Sequence, residues 1–116
     1  PSNAFDLAEA PLKICKGKYA GHFNDAWGLY HMVGKGSATW SEFAQAVFES
    51  AANHDHPTAL VKPILSSDYT TPAKRPANSR LSCDKLSSTF GISLPKWQGS
   101  LESTVSKIIS KGDQSK

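Results

Sequence analysis

The stretch GLYHMVGKGSATWSEFAQAVFESAA, residues 28–52, changes its hydrophobic period midway, and that change sets the expected fold class. Gly28 to Val33 is apolar at nearly every position, the pattern of a short strand covered on both faces. Gly34 and Gly36 end it. From Trp40 to about Ala52 the period becomes helical, with Trp40, Phe43, Ala44, Val47, Phe48 and Ala51 on one buried stripe. Thr39 and Glu42 have the spacing of a capping box, in which each side chain accepts a backbone N–H at the helix start. A strand running into a helix predicts a mixed α/β chain of the α+β type, with about four helices and two or three short strands.

The same logic extends outward. Asn3 can cap a first helix from Asn3 to about Ile14, with Asp6 at its positive end and Leu7, Ala8, Leu12 and Ile14 on a partial apolar face. Pro11 removes a donor and crowds the preceding turn, which predicts a kink or an early end. Residues 15–26, with Gly17, Gly21, Asn24 and Asp25, read as loop. Downstream, Asn53 to Pro57 closes the second helix. Ala59 to Leu65 reads as an edge or irregular strand, because Pro63 cannot donate to a ladder. Ser66 to Asn78 is a long irregular stretch holding Pro72 and Pro76, and Tyr69, Arg75 and Asn78 mark it as an ordered functional loop. A short helix from Cys83 to Phe90 has Ser82 as its cap, Asp84 in its first turn, Gly91 as its stop and Leu81 with Leu86 as a hydrophobic staple. The last helix runs from about Lys96 to Ile109, behind Pro95, with Trp97, Leu101, Val105, Ile108 and Ile109 on its apolar face. Gly99 weakens it, and the tail after Ser110 is expected to fray.

Composition narrows the function classes. Of 116 residues 39% are hydrophobic, so either the core is modest or apolar surface packs on something else. Charged residues make up 20% with no long run of one sign, which excludes a disordered chain. The net charge is +3, and eleven of the thirteen basic residues are scattered lysines. Their one small concentration is Lys74, Arg75 and Arg80, too sparse for a nucleic-acid stripe. A small anion such as a diphosphate needs only one or two well-placed cations. Cys15 and Cys83 match no zinc or redox spacing and read as reduced thiols. No apolar run approaches the roughly 18 residues that span a bilayer, and no signal peptide is visible, so a cytoplasmic protein without a membrane partner is expected. The chain opens at Pro1 inside a continuing pattern, which suggests part of a longer protein.

One ordered signature runs through the second half: Arg75-Pro76-Ala77-Asn78-Ser79-Arg80-Leu81, Lys85-Leu86, Phe90-Gly91-Ile92, Leu94-Pro95 and Trp97. Upstream stand Asp6-Leu7-Ala8, Trp27-Gly28-Leu29-Tyr30-His31, Gly34, Gly36, Thr39-Trp40-Ser41-Glu42-Phe43-Ala44, Pro63-Ile64 and Asp68-Tyr69. In order and spacing the set resembles the C-terminal pattern of dTDP-4-dehydrorhamnose reductases, RmlD-like members of the extended short-chain dehydrogenase/reductase superfamily, over about residues 1–109. The chain departs from that pattern at Ser82, where the family usually has Asp, and at Pro11 inside the first helix. The resemblance implies that residues 1–38 are the tail end of an NAD(P)-binding Rossmann domain, a helix and its last strand, and that residues 39–116 are a small sugar-nucleotide-binding domain. It implies a two-domain parent that reduces dTDP-4-dehydro-L-rhamnose to dTDP-L-rhamnose, for cell-surface polysaccharide, with NADPH or NADH.

The family's glycine-rich phosphate loop is absent here, and so is its Tyr-x-x-x-Lys pair: Tyr19, Tyr30 and Tyr69 are followed four residues on by Phe23, Gly34 and Ala73. Hydride transfer needs a held nicotinamide and a proton donor. The expectation is therefore a chain with no catalytic residue, no cofactor and no metal of its own, whose partners are a dTDP-sugar and the N-terminal Rossmann half. A homo-oligomer is left open. Two other readings stand beside it: a non-catalytic regulatory relative on the same scaffold, and a stand-alone binding module.

Four residues are candidates for substrate contact. The Arg75 guanidinium could grip diphosphate oxygens through two parallel hydrogen bonds, or pair with Asp68 or Asp84. Asn78 could bond a sugar hydroxyl or phosphate, or only fix the turn. Ser79 could touch the ligand or cap the following helix, and Tyr69 could line the cleft or pack. Trp40 and Trp97 read as core, and His31 as a hydrogen-bonded core histidine. His54 and His56 flank Asp55 without a further ligand, which favours a solvated helix end over a metal site.

Overall fold

The computed structural model describes residues 1–16 and 25–113. The expected loop residues Gly17, Gly21 and Asn24, and the tail at 114–116, lie outside them. The described residues form four α-helices, α1 (Ala4–Lys16), α2 (Trp40–Ala52), α3 (Asp84–Phe90) and α4 (Trp97–Asp113), with a 3-10 turn at Ser66–Asp68. None of them is long and apolar enough to cross a membrane.

The expected α+β class is overturned: among the described residues there is no strand, and the pairing present is one isolated parallel bridge between Lys35 and Lys96. At residues 28–33 two backbone carbonyls are taken by side chains. The Leu29 carbonyl accepts from Lys85 Nζ at 2.9 Å, and that of Val33 from Cys83 Sγ at 3.8 Å. Just beyond, the Gly34 N–H donates to Ser2 Oγ at 3.0 Å. Only one face of the segment is covered, since Tyr30 and Met32 pack on the core while Leu29 and His31 are exposed. The expectation of a core His31 fails for the same reason. At 59–65 there is no buried face at all, with Leu60 98% exposed, and Pro63 lacks a donor.

The chain divides into two compact units, residues 1–37 with 80–100 and residues 38–79 with 101–116. In the first unit, Asn3 Oδ1 caps α1 by accepting from the N–H of Phe5 at 2.8 Å and of Asp6 at 3.3 Å. The helix does not end early at Pro11 but runs on to Lys16. A helical proline costs about 3 kcal/mol. Here Ala10 is buried in the core and Leu7 and Ile14 pack partly buried against it, and this apolar burial works against that cost. The core is Ala10, Leu86, Phe90 and Leu94, with Tyr30, Met32 and Ile92 packed against it. α3 begins one residue later than expected, so its N-cap residue is Cys83 and not Ser82, although Ser82 Oγ still accepts from the Asp84 N–H at 3.2 Å. It ends where Gly91 turns left-handed at φ 65°.

Trp97 is buried, as expected, and the fit demands glycine opposite it. Gly36 has φ 96°, and a Cβ there would lie 3.1 Å from Trp97 Cδ1. The Lys35 N–H donates to the Pro95 carbonyl at 2.9 Å, and the Trp97 N–H returns to the Lys35 carbonyl at 3.1 Å. Gly99, in the first turn of α4, is different: a Cβ there would meet nothing within 4 Å. Gly99→Ala is expected to raise stability by about 0.4–1 kcal/mol, read as a higher urea midpoint with an unchanged slope.

In the second unit the capping box of α2 forms as expected. The Thr39 N–H donates to Glu42 Oε2 at 2.6 Å, and the Glu42 N–H donates to Thr39 Oγ1 at 3.2 Å. Thr39→Ala is expected to cost about 1 kcal/mol, seen as a lower thermal midpoint. The buried stripe starts later than expected. Trp40 is 81% exposed, while Phe43, Ala44, Val47 and Phe48 are half-buried and Ala51 is buried. A side chain in the first helical turn leans back toward the N-terminus, past the end of its own helix, and Trp40 meets Phe43 only edge-on, at 6.4 Å between ring centroids. The helix closes with the His56 and Asp55 N–H groups bonded to the carbonyls of Ala51 and Ala52, and Asp55 takes φ 55°. On α4, Leu101, Val105 and Ile109 are half-buried, Ile108 is exposed, and the helix outlasts the expected end at Ile109 by reaching Asp113.

Candidate functional site

All four candidate contacts, Tyr69, Arg75, Asn78 and Ser79, belong to the second unit and are exposed. The loop that carries them starts with the 3-10 turn, whose Asp68 N–H bonds the Leu65 carbonyl at 2.9 Å and whose Ser67 hydroxyl donates to Asp68 Oδ1 at 3.4 Å. Tyr69 follows in extended backbone, 66% exposed, so it is not packed into a core. Thr71 Oγ1 then donates to the Ala73 carbonyl at 3.0 Å, across Pro72. Pro72 and Pro76 fix their own φ angles and bias the residues before them toward extended backbone. The loop is thereby stiffened without being buried.

Among the described residues Arg75 forms no ion pair, so its structural alternative, pairing with Asp68 or Asp84, is not realised. Its planar fork of donors is free for a bidentate hold on an anion. In open water such a grip is weak, because exposed ion pairs are worth about 0–1 kcal/mol. Ser79 is exposed, and it does not cap α3, whose N-cap residue is Cys83. Of the small basic concentration, Lys74 and Arg75 belong to the second unit and Arg80 to the first. His54 and His56 are exposed at the end of α2, and no group of three or more metal-ligating side chains occurs among the described residues.

Sequence reasoning assigned no role to Lys85, yet it ties the first unit together. Its ammonium lies 4.5 Å from the Tyr30 ring centroid while donating to the Leu29 carbonyl. Tyr30 in turn stacks obliquely on Phe90 at 5.1 Å. No local pattern links residues so far apart in the chain. The adjacent pair Lys85-Leu86 was visible, but its geometry was not.

Residues 1–110 match the family model described as the RmlD substrate binding domain. The chain belongs to that family. It is 38% identical over 112 residues to the dTDP-4-dehydrorhamnose reductase of Sinorhizobium fredii, an alignment that covers 97% of this chain and 38% of that protein. It is 39% identical over 87 residues to the reductase of the same name from Escherichia coli, covering 73% and 29% respectively. It is 30% identical over 109 residues to a Streptomyces antibioticus protein named a probable dTDP-4,6-dihydroxy-2-methyloxan-3-one 4-ketoreductase, covering 94% and 34%. The chain thus spans well under half the length of these relatives. Much of the signature that this RmlD-family chain displays holds the fold. Leu86, Phe90 and Leu94 are core, Gly91 ends α3, and Gly36 makes room for Trp97. Among the exposed signature residues is Arg75, which makes no ion pair among the described residues.

Proposed function

We propose that this chain is the sugar-nucleotide-binding part of a dTDP-4-dehydrorhamnose reductase. The observation that carries the reading is Arg75: an exposed guanidinium without an ion pair among the described residues, on a proline-stiffened loop of a chain in a substrate-binding family. Arg75 holds the diphosphate, Asn78 bonds a phosphate or sugar hydroxyl, and Ser79 and Tyr69 border the ligand. Residues 1–38 go with the cofactor-binding half of the parent and residues 39–116 with its substrate half. The parent reduces the 4-keto group of dTDP-4-dehydro-L-rhamnose, and the relatives' names, one a 4-dehydro-sugar reductase and one a 4-ketoreductase, favour that position on a dTDP-linked sugar.

NADPH or NADH supplies the hydride in the parent. The residues present here do not fit that cofactor. Where a tyrosine and a lysine do meet, the Lys85 ammonium lies over the Tyr30 ring, and the Tyr30 hydroxyl donates to the Ala26 carbonyl at 2.6 Å. Both groups are engaged within the first unit, and the hydride and proton transfers belong to the rest of the parent. The expected result is that the full-length parent oxidises NADPH or NADH only when dTDP-4-dehydro-L-rhamnose is present, followed by absorbance, while the 116-residue chain does not. No turnover by the parent would overturn the reading. Titration calorimetry of the isolated chain with dTDP-rhamnose is expected to give weak or no heat, and submicromolar binding would contradict the view that the site is incomplete without the rest of the parent.

A further inference from the structure

We draw no further inference here: the strongest candidate, the exposed apolar strip of the second unit formed by Leu60, Ile64 and Leu65 with Tyr69 beyond it, is an unpartnered face and nothing in the structure shows what covers it.

Discussion

Leu86→Ala will lower folding stability by about 2–5 kcal/mol, the range for emptying a well-packed aliphatic site. Leu86 is 1% exposed and is the one large side chain buried so completely among the described residues. It sits with Ala10, Phe90 and Leu94, and Leu7, Ile14 and Met32 pack around them. The surrounding atoms belong to α1, to α3 itself, to the segment at residues 26–32 and to the segment after α3 that carries Ile92 and Leu94, so no single element can move in to fill the void. The core is thin, and natural domains have only about 5–15 kcal/mol to lose, so the variant is expected to unfold at a much lower urea concentration. Urea denaturation followed by circular dichroism measures the loss. Leu81→Ala is the matched control, because that leucine is 49% exposed and should cost about 1 kcal/mol or less. Equal losses for the two variants would mean that the core does not centre on Leu86.

The contrast between those leucines shows what a sequence can and cannot declare. Signals carried by neighbours in the chain were legible: Asn3, the Thr39–Glu42 box and Gly91 all act within four residues of the group they satisfy, and do so as read, while Ser82 stands one residue outside the cap position expected of it. Signals that depend on distant partners were not. Trp40 and Trp97 both begin an apolar helical stripe, yet Trp97 is buried against Gly36 and Trp40 stands in solvent. The segment at 28–33 has strand-like composition, but Lys85 and Cys83, fifty or more residues away in sequence, occupy two of its carbonyls. Pro11 was read from its local cost alone, and the burial that works against it comes from elsewhere in the unit. For the site, the residue types and the two prolines were legible. The absence of an ion pair at Arg75 was not, because Asp68 and Asp84 were equally available on paper.

Arg75→Ala in the full-length parent is expected to lower kcat/KM by roughly ten- to a hundred-fold, the loss of about 1.5–3 kcal/mol carried by a hydrogen-bonded charge. The size of the effect decides the mechanism. A guanidinium that stays in water contributes about 1 kcal/mol or less to any ion pair, which is at most a fivefold change. A larger loss requires that the exposed side chain seen here becomes desolvated against the diphosphate when substrate binds. Arg75→Lys separates charge from geometry. It keeps the cation but not the fork, so it should recover part of the loss if a single phosphate oxygen is held, and little if the grip is bidentate. Stability should not change in either variant, since Arg75 is exposed and makes no ion pair among the described residues, and a thermal melt of each checks this. An unchanged kcat/KM in a folded Arg75→Ala enzyme would remove this loop's cation from the substrate site. A loss seen equally in kcat and kcat/KM would place its contact in the transition state alone, and a rise in KM with constant kcat would make it a uniform grip on the nucleotide.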